Sequence, residues 1–227
     1  MKPIIIYTMR RCRSTAVLEA AKRSHKINEP FDPFAKISGD LLGSYDTIVD
    51  QRHDILVNHV SEWETICRQM NADDTVVKFF GSSIANWAPA RYWFNNVQKA
   101  DSHEIFILLR NNRDRIWSHV LANKFGYVKK NEISPYKVEF SHRELQQVSM
   151  SIENFLRFYP VNGKVVTFET LPEEFFDYST TGLEPQNAQE TKMPYVTNPD
   201  FVEDQIHKIL TYYSQEWYEK IGTDIFK

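Results

Sequence analysis

The sequence predicts a three-layer α/β fold, with a mainly parallel central sheet flanked by helices. Two observations predict it. Several short runs of strand length are nearly apolar throughout, as strands covered on both faces must be. Longer segments with helical spacing of apolar residues separate them, and strands that alternate with helices form parallel sheets through right-handed crossovers.

Residues 3 to 8 are an Ile-rich run of strand length, and the segment from Ser14 to Ser24 sets Ala16, Val17, Ala20 and Ala21 at helical spacing. The chain therefore opens with strand, tight turn, helix. Further strands are expected at Thr75–Phe80, Glu104–Leu109 and Lys164–Phe168, and helices near 59–70, 84–99, 113–125, 141–158 and 201–220. The last of these carries Val202, Ile206, Ile209, Tyr213 and Trp217 on one stripe. Residues 28–40 and 178–199 collect prolines, glycines and polar residues and read as irregular loops, the kind that cover substrates or cofactors. No internal repeat or linker divides the chain, so residues 1–227 read as one domain.

Composition narrows the class. No run of residues approaches the roughly 20 apolar positions that span a bilayer, and the apolar start runs directly into Arg10 and Arg11, so membrane insertion and a secretory leader are not expected. Two cysteines, Cys12 and Cys67, are too few for a disulfide framework, which favours a cytoplasmic setting. The seven histidines are scattered, without metal-ligand spacing, and no metal is expected. The net charge of −3 hides an uneven distribution. Residues 1–26 hold seven Lys or Arg against Glu19, residues 110–130 hold six against Asp114, and the chain from Glu169 onward holds twelve acids against four lysines. Two local basic segments on an acidic chain suit a small anion; nucleic-acid binders usually carry a broader basic surface.

The first basic segment is the turn Thr8-Met-Arg-Arg-Cys-Arg-Ser-Thr-Ala16 between the first strand and first helix. Amides at a helix N-terminus have no intrahelical partners, and Ser14 and Thr15 stand where N-cap and first-turn hydroxyls belong. Together with Arg10, Arg11 and Arg13 they would converge on one phosphate-sized volume. This is not the ATP-type loop, which needs two glycines and Gly-Lys-Ser/Thr, because no glycine precedes Gly39. The second segment, Arg110-Asn-Asn-Arg-Asp-Arg-Ile-Trp-Ser118-His119, follows an apolar strand and enters a helix near Asn112. Arg110 at the strand end and Ser118 along the helix can grip one phosphate from two directions.

Arg11-Cys-Arg-Ser-Thr15 resembles the 5′-phosphosulfate loop of sulfotransferases, in the form Arg-Ser-Arg-Ser-Thr; Cys12 replaces a serine and Arg13 stands where many members have glycine. Arg110, Asn111, Arg113, Asp114 and Ser118 resemble the family's 3′-phosphate motif in register, with Asn112 in place of proline. Lys164-Val-Val-Thr-Phe-Glu-Thr-Leu171 is similar to its late strand. The resemblance spans roughly residues 3–171. It implies a P-loop NTPase-like sulfotransferase fold, a 3′-phosphoadenosine 5′-phosphosulfate co-substrate, the product 3′,5′-adenosine bisphosphate and no metal. Cofactor contacts would come from Arg10, Arg11, Cys12, Arg13, Ser14, Thr15, Arg110 and Ser118.

Sulfuryl transfer needs fixed cations on the leaving phosphate and a base for the acceptor's proton. Arg11 is the expected leaving-group cation. Glu29, in Lys26-Ile-Asn-Glu-Pro-Phe31, is similar in position to the base of some carbohydrate sulfotransferases, with His53 and His59 as rivals. Lys78 on the second predicted strand is a further candidate for sulfate or acceptor contact, although edge strands commonly carry such lysines. The aromatics Trp87, Tyr92, Trp93, Phe94 and Trp117 are expected mostly in the core, with some lining an acceptor pocket. The resemblance implies a small-molecule or carbohydrate acceptor, and sugar, lipid, tyrosine, small alcohol and amine are all open to it. Two other function classes fit the same residues: a nucleotide kinase or other phosphotransferase, which would need Mg²⁺, and a non-catalytic phosphate-binding module.

Overall fold

The computed structural model describes residues 1–24, 26, 27, 29–31, 60–86, 88–125, 137–177 and 193–226. In chain order the elements are β1 (Ile4–Thr8), α1 (Ser14–Arg23), β2 (Glu29–Phe31), α2 (Val60–Met70), β3 (Thr75–Phe80), α3 (Gly81–Asn86) and α4 (Ala88–Ala100). These are followed by β4 (Glu104–Leu108), α5 (Asn112–Phe125), α6 (His142–Arg157), β5 (Lys164–Val166) and α7 (Pro199–Ile221). Short 3-10 turns lie at Phe168–Thr170 and Met193–Tyr195.

All five strands are parallel, in the spatial order β2-β3-β1-β4-β5. Every residue of β1 is buried, which accounts for the unbroken apolar run: a central strand with helices on both faces has no side to give to water. The register runs Ile4 beside Val76 and Glu104, and Thr8 beside Phe80 and Leu108, so β1, β3 and β4 end level with one another. From β1 the chain crosses toward β3 and β2; from β4 it crosses toward β5. In α/β folds, ligands bind beyond the carboxyl ends of strands from which the chain departs in opposite directions, as it does after β1 and β4. Both basic segments follow those two strands.

Tyr7 on β1 stacks on Phe94 of α4 and on Phe155 of α6, and its hydroxyl donates to the Phe155 carbonyl at 2.8 Å. Phe155 in turn stacks on Trp217 of α7. One aromatic column thus joins the sheet to three helices, which confirms a core placement for Phe94. Trp117 is fully buried, Trp93 is nearly so, and Tyr92 is exposed.

Four expectations need correction. Residues 29–31 form an edge strand, not an irregular loop; Pro30 is tolerated because an edge strand pairs on one side only. The helix expected at 84–99 is two, divided before Pro89, which occupies the first turn of α4 where its missing N–H costs nothing. The late strand stops at Val166, where the Thr167 amide donates to Thr170 Oγ1 at 2.8 Å and closes a 3-10 turn. The buried stripe of α7 runs through Leu210 instead of Ile209. Among the described residues no helix is long and apolar enough to cross a membrane.

Candidate functional site

The site starts where β1 ends. The Thr8 hydroxyl donates to the Leu108 carbonyl at 2.9 Å and ties the ends of β1 and β4 together. The chain then turns with Arg11 at φ 69° and Arg13 at φ 62°, both in the left-handed region. Each such non-glycine residue costs about 1–2 kcal/mol. Arg13 therefore takes the backbone conformation that glycine would supply, and its side chain is anchored to Glu169 at 2.9 Å and lies over the Phe168 ring. The 3-10 turn after β5 holds it there.

Arg13, not Ser14, occupies the N-cap position of α1, and no side-chain hydrogen bond caps the helix. Ser14 is the first helical residue and is buried, while Thr15 beside it is exposed. The expectation of Ser14 as N-cap is thereby corrected. The opening amides of α1, left without a side-chain cap, are the donors an anion can take up.

On the second segment Asn111 is the true cap of α5: its Oδ1 accepts the Asp114 amide at 3.1 Å, three residues into the helix. Arg110 Nη1 donates to the Arg11 carbonyl at 3.2 Å, and Arg11 Nε donates to Ser118 Oγ at 3.0 Å. The two motifs, about a hundred residues apart in sequence, are thus one hydrogen-bonded unit. Arg11 spans both of them instead of serving the first alone.

The electrostatics are one-sided. Burial lowers the pKa of the Arg110 guanidinium, and Arg13 and Arg11 lower it further, with Asp114 opposing. Arg115, one helical turn before Ser118 and His119, is wholly buried; burial and then Arg110 lower its pKa, with Cys12 opposing. The His119 imidazole is pushed down to about 3, chiefly by burial and then by Arg115, Arg10 and Arg11. His119 is therefore neutral near pH 7 amid fixed cations. Burial raises the Cys12 thiol, with Arg115 opposing. Cys12 is buried, so the part of it that a ligand at the turn can reach is its backbone.

Other candidates lie elsewhere. Glu29 aligns with Thr75 at the amino end of β3, whereas the cluster lies level with Phe80. Five residues of strand, roughly 17 Å, separate them, so the fold does not bring Glu29 to the cluster. Lys78 is buried in β3, which is an internal strand and not an edge; its backbone stands two residues before the cluster's level, and its Nζ reaches to 5.2 Å from the Phe80 ring centroid. Arg113 turns away and pairs with Glu203 of α7, whose Oε1 also accepts the Trp117 indole N–H at 2.7 Å. His53 and His59 fall outside the described residues, as does Trp87.

A cavity of about 650 Å³ lies at the opposite, amino end of the sheet, against Pro3, Trp93 and His103. His103 there is satisfied by Ser102 and the Met70 carbonyl, at 2.9 Å each. That concavity has volume but no concentrated charge, and the arginine cluster is the stronger candidate site. Sequence reasoning missed Arg115 and His119. Their signal was the spacing of Asn112, Arg115, Ser118 and His119 on one helix face. No family model matches this chain, and no curated protein matches it.

Proposed function

We propose that this protein is a sulfotransferase that moves a sulfuryl group from 3′-phosphoadenosine 5′-phosphosulfate to an acceptor hydroxyl or amine. One observation carries the reading: the hydrogen-bonded chain from Arg110 through Arg11 to Ser118, which unites the two phosphate-type motifs at the carboxyl ends of β1 and β4. A donor with phosphates at both its 5′ and 3′ positions needs two neighbouring anion grips, and a simple phosphate binder needs one. The strand order β2-β3-β1-β4-β5 also supports a P-loop NTPase-like sulfotransferase fold.

The donor set fits the co-substrate: amides of an uncapped helix start, hydroxyls of Ser14, Thr15 and Ser118, and a surplus of guanidinium groups. In the transfer the acceptor oxygen or nitrogen bonds to sulfur, the bond from sulfur to the 5′-phosphate oxygen breaks, and its electron pair leaves on the phosphate. Arg11, hydrogen-bonded on one side to Ser118, stabilises that charge. The acceptor's proton passes to a base, and with Glu29 at the far end of the sheet we assign that role to His53 or His59.

Calorimetric titration with 3′,5′-adenosine bisphosphate, 5′-AMP and ATP tests the reading. Binding that requires the 3′-phosphate, without Mg²⁺, is expected. Equal or absent binding of all three sinks the proposal, and ATP binding that appears only with Mg²⁺ assigns the site to a nucleotide kinase.

A further inference from the structure

Asn112, Arg115, Ser118 and His119 recur on one face of α5, and all four are buried. Buried polar groups are costly unless partnered. Ser118 accepts from Arg11. Asn112 donates to the Ile225 carbonyl at 3.0 Å and accepts Arg115 Nε at 3.2 Å, so it fixes the guanidinium from one side. On the other side, neither Nη atom of Arg115 has a hydrogen-bond partner among the described residues, and nor has Nδ1 of His119. The groups acting on the Arg115 charge are Cys12 and Arg110, one from each motif, and neither is a carboxylate. An apolar side chain of similar volume would fill this space at lower cost to the free protein. The charge is therefore retained for something that arrives.

We infer that Arg115 is a third arm of the anion site: a fixed, fully buried guanidinium on α5, held by Asn112 one turn before Ser118, that draws a phosphate or sulfate-ester anion onto the amides of α1, together with Arg11 and Arg110. This rests on the reading that the turn holds phosphate. Arg115 acts by its charge, as an electrostatic anchor that Asn112 positions. Asn112 stands where the sulfotransferase motif has proline, and a proline side chain could neither accept from Arg115 nor donate to Ile225.

The test compares wild type with Arg115→Met, an apolar replacement of similar length, by thermal unfolding and by titration with inorganic pyrophosphate and 3′,5′-adenosine bisphosphate. The inference expects the free Met variant to melt no lower than wild type, and both ligands to bind it about 10- to 150-fold more weakly. Affinity within threefold of wild type overturns it, whatever the melting temperature, and a lower melting temperature with unchanged affinity makes Arg115 purely structural. Should Arg115→Met fail to fold, Asn112→Pro serves instead, because proline is tolerated at the first helical position. It frees Arg115 from its anchor, and unchanged affinity there also overturns the inference. The outcomes separate from those of the function. Wild type that binds pyrophosphate without 3′-phosphate selectivity loses the sulfotransferase reading and keeps Arg115. Retained 3′-selectivity with undiminished affinity in the variant does the reverse.

Discussion

Replacing His119 with Gln removes a titration that the fold suppresses, and the consequence for acid stability can be worked out. Burial and the guanidinium groups of Arg115, Arg10 and Arg11 hold His119 down at about 3 in the folded protein, against 6.5 in an unfolded chain. Below pH 6.5 the unfolded chain takes up a proton that the folded chain refuses, so stability falls as pH falls, and it is fully present only above 6.5. At pH 5 that proton is worth about 2 kcal/mol to the unfolded state. Urea unfolding at pH 8 and pH 5 reads it. Wild type should lose about 2 kcal/mol more than His119→Gln, a midpoint difference on the order of 1 M at an m-value of about 2–3 kcal/mol/M. Titrations elsewhere in the chain are common to both proteins and cancel. An equal loss in the two would refute the reasoning, because His119 would then be free to take a proton beside three arginines.

Arg110→Ala and Ser118→Ala should each weaken 3′,5′-adenosine bisphosphate binding by about 1.5–3 kcal/mol, read calorimetrically, since each removes a member of the chain that joins the two grips. Arg13→Gly should stay within about 1 kcal/mol of wild type in urea unfolding, because relief of the left-handed φ offsets the lost Glu169 pair and the entropy of glycine. Arg13→Val, β-branched at φ 62°, should instead cost about 1–3 kcal/mol. Gly81→Ala should destabilise by about 1–3 kcal/mol, since its Cβ would lie 2.7 Å from both the Asn154 carbonyl oxygen and Phe155 Cα of α6, neither of which is a flexible side-chain end.

The central strands were legible because burial on both faces leaves no polar alternation to confuse them: β3 runs over the expected Thr75–Phe80 without adjustment, and β4 ends one residue early. The edge strand Glu29–Phe31 was not legible. Three residues that include a proline carry no strand period, and their pairing depends on β3, more than forty residues away. The same distance problem hid the fate of Glu29. Sequence showed it after the first helix, where a return to the active edge is ordinary, but only the register reveals that it pairs at the start of β3. Arg11, Arg110 and Ser118 were legible because each stands at a fixed offset from an apolar strand. Arg115 was not, since an arginine in a basic segment reads as solvated until packing encloses it.

The departures of the two motifs from the sulfotransferase pattern have separate physical accounts. Arg13 adopts the left-handed conformation that glycine takes readily, and its side chain is absorbed by Glu169 and Phe168 on the neighbouring 3-10 turn. Cys12 is buried, so its replacement of serine alters what lies beneath the turn, not what faces a ligand. Asn112 gives up the proline that starts a helix well and gains two hydrogen bonds, one to the Ile225 carbonyl and one from Arg115. Asn112 and Arg115 are therefore coupled, and a double-mutant cycle on anion affinity should be non-additive. Once Arg115→Met has removed the charge, Asn112→Pro should weaken pyrophosphate binding little further, whereas in the wild-type background it should weaken it clearly. Additive losses would mean that Asn112 acts on the anion site by a route independent of Arg115.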